Sequence, residues 1–151
     1  MKIEDVIKST EVLSLKKKIF LNIMYAQNIL AESFNEVLKQ YDLSSEQFHV
    51  LRILQDQKGK PANMCVIQEK MIAKTSNTTR LVDKLLLKGL VTREVCSENR
   101  RKIEVSITGK GLELLKDVKP VLETYEEMLA INLTQNELEE LNFLLEKYRA
   151  G

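Results

Sequence analysis

From about Val12 to Gln40 the chain runs without a proline or glycine, and its apolar residues recur at helical spacing. Leu15, Ile19, Ile23, Leu30, Phe34 and Leu38 form one stripe, which Phe20, Met24, Val37 and Tyr41 widen. A helix over this stretch would reach about 40 Å at 1.5 Å per residue. The whole chain has 151 residues, enough for one compact domain with extensions. A core of that size cannot cover such a stripe from end to end, so a second copy of the chain is expected to cover part of it.

The next segments read as short elements. In LSSEQFHVLRIL, Ser44 and Gln47 have the spacing of a capping box, and Phe48, Leu51 and Leu54 share a face. Gly59 and Pro61 mark a turn. Asn63 is placed to cap a short helix carrying Ile67 and Met71. The hydroxyl-rich TSNTT then opens a second helix, expected from about Thr75 to Lys88, with Leu81, Val82 and Leu85 facing inward. Gly89 supplies its left-handed end. After Gly89 the period changes to that of strands. LVTREV and KIEVSIT form a hairpin whose polar tip, CSENRR, carries Arg100 and Arg101. Thr108 closes it and opens a long helix of about Lys110 to Ala130, in which Pro120 is expected to make a kink. A last helix starts at the Thr134/Glu137 capping box, with Leu133 and Leu138 spaced as a staple, and runs to Tyr148.

The formal charge of +1 conceals a gradient. Residues 1–59 balance, residues 60–110 carry eleven basic against five acidic side chains, and residues 111–151 carry four against nine. The basic excess therefore coincides with the short helices and the hairpin. On the second short helix Ser76, Arg80, Lys84 and Lys88 recur every four residues and share a face, flanked by Asn77 and Thr79, with Thr75 at its start. Small hydrogen-bonding groups at a helix N-terminus can approach base edges. Lys84 and Lys88, further along, suit phosphates better than bases. Arg101 on a projecting tip suits a minor groove, where the potential is most negative. Helices followed by a hairpin in this order make a winged helix-turn-helix, and the candidate partner is double-stranded DNA. An alternative stays open at this level: the same basic face could dock an acidic protein without any operator.

The stretch VIQEKMIAKTSNTTRLVDKLLLKGLVTREVCSENRRKIEVSITGKG resembles the MarR family of bacterial transcription regulators, most closely in Thr79–Leu85 and Lys88–Val91. The resemblance covers nearly the whole chain and implies a mainly α fold with a small β-hairpin wing. The implied layout is one unit over 1–151, with residues 42–109 as DNA-binding region and 12–41 and 110–149 as dimerisation helices. It also implies a homodimeric repressor on a palindromic operator. Three positions depart from the family pattern: Asn99 replaces the wing carboxylate, Thr78 an apolar residue, and Ile72 the turn glycine. Many relatives answer to small phenolic or amphipathic effectors in a cleft between dimer helices and reading head. Tyr25, Phe34, Phe48, His49 and Arg52 fall in segments that could line one here.

Other classes find little support. The opening MKIEDVIK places acidic residues where a secretory leader is basic, and no apolar run approaches a membrane span of about 18 residues. Two cysteines, Cys65 and Cys96, make no disulfide framework, so a reducing cytoplasm is the expected location. Either is expected to be a small buried residue. A single histidine and two distant cysteines give no metal motif, no cofactor fingerprint appears, and no nucleophile–base pair suggests catalysis.

Overall fold

A computed structural model describes residues 1–151. The fold is mainly α with a small antiparallel sheet, as expected. A short α1 (Ile3–Val6), absent from the sequence reading, precedes the long α2 (Leu15–Lys39). Ser14 caps α2 by accepting the Lys17 N–H, which trims its start from the expected Val12. Then follow α3 (Ser45–Asp56), β1 (Ala62–Asn63), α4 (Met64–Lys70), α5 (Thr78–Leu87), β2 (Val91–Val95), β3 (Ile103–Ile107), α6 (Gly109–Ala130) and α7 (Gln135–Arg149). No helix is long and apolar enough to cross a membrane.

Local chemistry explains most boundaries. Both expected capping boxes form, Ser44 with Gln47 and Thr134 with Glu137. Asn63 caps α4 by accepting the Val66 N–H. At the end of α5, Gly89 takes φ +70°. Its N–H donates to Leu86 and the Leu90 N–H to Leu85, which is a complete Schellman ending. Pro120 sits inside α6, which nonetheless continues as one helix to Ala130. The sheet is larger than a hairpin. Its order is β1-β3-β2, with Ala62 opposite Val105 and Val91 opposite Ile107.

The core joins α3, α4, α5 and the sheet to the end of α2 and the middle of α6. Leu38, Val50, Leu51, Ile67, Val82, Leu85, Val105 and Val118 are fully buried in it. Beyond this core the apolar stripes stay bare. α7 has no buried residue, and Leu141, Phe143, Leu144 and Tyr148 on it are exposed. Leu15, Phe20 and Met24 on α2 are exposed too. Ile19 and Ile23 of α2 and Leu141, Leu144, Leu145 and Tyr148 of α7 line one open apolar groove.

Candidate nucleic-acid interface

The helix that carries the candidate contacts starts later than its hydroxyls suggested. Asn77, not Thr75, is the cap, accepting the Arg80 N–H at 3.1 Å. Thr75 and Ser76 therefore lie in the turn before α5, and of the expected line of Ser76, Arg80, Lys84 and Lys88 only Arg80 and Lys84 lie within the helix, Lys88 being its C-cap. The reason is tertiary. Thr78 is buried, and its hydroxyl donates to Gln68 Oε1 on α4, while Gln68 Nε2 donates to the Lys74 carbonyl. Burial of Thr78 sets where the helix can begin, and the amide of Gln68 satisfies the hydroxyl that burial would otherwise strand. The turn between α4 and α5 has no left-handed residue, so Ile72, itself exposed, needs no glycine's freedom there.

Thr75, Asn77, Thr79, Arg80 and Lys84 are exposed and Ser76 is half-buried. Arg80 and Lys84 make no ion pair within the chain, and neither do Arg100 and Arg101. Their charge is thus free for an external anion. Arg93 on β2 is different: it pairs with Asp83 on α5 at 2.7 Å and holds the sheet against the reading helix.

At the wing tip, Asn99 Oδ1 accepts the Arg101 N–H at 3.0 Å, and the Asn99 carbonyl accepts the Lys102 N–H at 2.9 Å. An amide oxygen thereby performs the local ordering that a carboxylate would, and Arg100 and Arg101 remain exposed on an ordered turn.

Lys88 departs from the expected phosphate-contacting line. Its Nζ donates to the Asp42 carbonyl and, at 2.9 Å, to Gln47 Oε1. Three acceptor oxygens at the α2–α3 corner are close to it, the third being Asp42 Oδ2 at 3.6 Å. The ammonium is occupied inside the protein.

The effector-cleft candidates divide. Phe34, Phe48 and His49 pack together, with Phe34 and Phe48 edge to face at 5.7 Å and Phe34 and His49 at 5.9 Å. Tyr125 of α6, which the sequence reading missed, stacks on Phe34 at 6.1 Å and shares a 2.5 Å hydrogen bond with Ser33. Its place on the apolar stripe of α6 concealed it. Arg52 is half-buried beside His49 and pairs with Asp56 at 3.6 Å. Tyr25 lies apart, exposed on α2, about 13 Å of helix before Phe34. His49 Nδ1 is buried without a hydrogen-bond partner. Desolvation first, and then the Arg52 charge, holds the imidazole pKa below 6.5, with Glu46 opposing.

Cys96 is half-buried, whereas Cys65 is exposed on the first turn of α4, contrary to the expected burial. The side chain at that position looks away from the core, beside the turn that holds Ser76 and Asn77.

A long-armed winged helix-turn-helix with an uncommitted basic reading face defines a class of DNA-binding regulators. Within that class, the MarR family model matches residues 43–103. A MarR transcription factor structure from Planctomyces limnophilus is 33% identical, covering 90% of this chain and 98% of that one, with a TM-score of 0.68. The HTH-type transcriptional regulator MhqR of Bacillus subtilis is 28% identical over 131 residues, 86% of this chain and 88% of its own length. A cysteine-to-serine variant of MarR from E. coli, solved with operator DNA, shares the fold at 23% identity and a TM-score of 0.78, covering 90% of this chain and 99% of that one. The chain belongs to the MarR family and is a DNA-binding transcription regulator, a class without catalytic function.

Proposed function

We propose that the protein is a cytoplasmic, homodimeric repressor that reads a palindromic operator and is released by a small aromatic or amphipathic effector. Residues 42–109 form the reading head in this proposal, and the segments 12–41 and 110–149 form the dimer. The observation that carries it is the division of basic side chains. Arg80, Lys84, Arg100 and Arg101 lie open along one helix and the wing tip, while Lys88 and Arg93 of the same region are paired within the chain.

Thr75, Ser76, Asn77 and Thr79 meet the edge of the duplex at the start of α5, and Arg80 reaches a base or phosphate beside them. Lys84 neutralises a phosphate, and Arg101 enters the minor groove with Arg100 on the backbone. The bare apolar faces of α2 and α7 favour burial against a second copy, which would set two reading helices on two half-sites. For the effector, the aromatic cluster of Phe34, Phe48, His49 and Tyr125, with Arg52 at its edge, offers ring faces and a polar rim where α2, α3 and α6 meet.

Fluorescence anisotropy with a duplex selected from a random pool, against a scrambled duplex, tests this across a salt series. Preference for the selected duplex by about 10³ or more is the expected result. Equal affinity for both duplexes at every salt concentration would refute operator reading and return the basic face to protein docking.

A further inference from the structure

We propose that Lys88 is a positioning residue, a brace that fixes the reading helix to the corner where the dimerisation arm enters the head, and so sets the half-site spacing the protein accepts. The inference rests on the operator reading above. It assigns Lys88 a different role from the phosphate contact that helical periodicity suggested.

The geometry is that of a junction. Lys88 is the C-cap of α5, and its side chain is only 28% exposed. Its Nζ donates to the Asp42 carbonyl, at the corner where α2 turns into α3, and Asp42 holds that corner in the left-handed region at φ +54°. The same ammonium donates to Gln47 Oε1. Gln47 is 7% exposed and uses this oxygen to accept the Ser44 N–H of the α3 capping box as well. From the other side, the Lys88 carbonyl accepts Lys110 Nζ of α6 at 2.9 Å, and the neighbouring Gly89 carbonyl accepts the Thr108 hydroxyl at 2.8 Å. One residue therefore ties the end of the reading helix to the α2–α3 corner, to α3 and to α6.

The consequence follows from where α2 leads. Its first half carries exposed apolar residues that in the proposed dimer meet the partner, while the corner just beyond its last turn meets Lys88. The angle between arm and reading helix determines how far apart two such helices stand. Half-sites must lie on one face of the duplex, so a small change in that angle becomes a change in preferred spacing. A lysine suits the task because a half-buried ammonium with converging acceptors loses much if any one moves away. A phosphate contact has no such dependence on Gln47.

The test uses the full-length protein, the duplex it selects, the same duplex with one base pair inserted between half-sites, and a scrambled duplex. Lys88→Met keeps most of the length of the side chain and removes its donors. It is expected to weaken binding to the selected duplex by about tenfold and to shrink the penalty for the inserted pair at least about threefold, because a loosened head adapts to the new spacing. The slope of log affinity against log salt should stay within about 0.3 of wild type, whereas loss of one phosphate contact per protomer would reduce it by about 1.8 for the dimer.

Gln47→Glu keeps acceptor oxygens for Ser44 and Lys88 and should retain the wild-type spacer penalty, whereas Gln47→Met should lose it as Lys88→Met does. A slope reduced by about 1.8, or a spacer penalty unchanged in Lys88→Met, would overturn the brace. If wild type discriminates no duplex, the operator reading fails, and amide exchange then decides the brace alone. Lys88→Met must raise exchange at both Leu43 and Leu90; a change confined to Lys88 and Gly89 would rule it out.

Discussion

Gly111→Ala should cost the protein about 2 kcal/mol, and the number can be worked from contacts. Gly111 is in the first turn of α6, where its N–H donates to the capping Thr108 hydroxyl at 3.1 Å. A Cβ added there would stand 2.5 Å from the Leu90 carbonyl oxygen and 2.6 Å from Ile107 Cγ1. Ordinary contact needs roughly 3.4 Å, so the start of α6 must retreat by close to 1 Å. The Leu90 oxygen cannot yield, because it accepts the Thr108 N–H at 3.0 Å and follows the Schellman ending of α5. Retreat therefore strains or breaks the bonds from Thr108 to Leu90 and Gly89, each worth about 1 kcal/mol. It also unpacks Ile107, adding about 1 kcal/mol. Helix propensity returns at most about 1 kcal/mol for replacing glycine.

Urea denaturation at one fixed protomer concentration measures the difference, since assembly would otherwise contribute. A loss of that size lowers the thermal midpoint by about 4–8 °C in a chain of this length. Gly109 is the control in the same turn. Nothing lies within 4 Å of a Cβ added at Gly109, so Gly109→Ala should be neutral or slightly stabilising. Gly89→Ala should cost about 1 kcal/mol by a different route, the strain of alanine at φ +70° rather than a clash. Equal midpoints for Gly111→Ala and Gly109→Ala would refute the close approach of α6 to β2 and β3.

His49 has a folded-state pKa below 6.5, so the unfolded chain binds the extra proton first, and stability should fall as pH drops through 6.5 toward the folded value. His49→Phe should flatten that part of the urea-midpoint profile; an unchanged profile would count against the buried imidazole. Leu144→Glu places a carboxylate on the exposed apolar face of α7 and should weaken self-association by about 10² or more, read by sedimentation, while an undisturbed dimer would exclude this face. Arg80→Ala should cost about 1–3 kcal/mol per half-site and relax base preference, and Lys84→Ala should weaken all duplexes alike while lowering the salt slope by about 1.8 for the dimer. A lost preference in Lys84→Ala would reverse the two assignments.

What the sequence disclosed was mostly local. Capping boxes at Ser44 and Thr134, the Asn63 cap and the glycine ending at Gly89 each depend on neighbours within a few residues, and each appears in the structure. The start of α5 did not, because Thr75, Ser76 and Asn77 are all able to cap and the choice among them rests on Thr78 docking against Gln68. β1 is two residues long and exists only through its pairing with Glu104 and Val105. No periodicity can be read from two residues. Lys88 illustrates the same limit for a side chain: its backbone position follows the period of Arg80 and Lys84, but its acceptors come from Asp42 and Gln47, more than forty residues earlier. Tyr125 joins Phe34 across 91 positions, so nothing near either residue signals the pair.

The charge gradient acquires its meaning only when commitment is counted along with sign. Residues 60–110 carry the basic excess, yet several of those cations are structural. Arg93 belongs to Asp83, Lys88 to the α2–α3 corner, and Lys110 to the Lys88 carbonyl. Each holds the end or side of the reading helix against one neighbour: the wing sheet, the α2–α3 corner, or α6. Arg80, Lys84, Arg100 and Arg101 make no ion pair, and they occur where the helix and wing project. The basic excess thus divides into cations bonded within the chain and cations that stay exposed and unpaired. In the proposed function the first orient the reading surface to which Arg80, Lys84, Arg100 and Arg101 of the second belong. Removing a cation of the first kind should alter which DNA geometry is accepted, and removing one of the second should weaken binding, for all duplexes alike at Lys84 and with loss of base preference at Arg80.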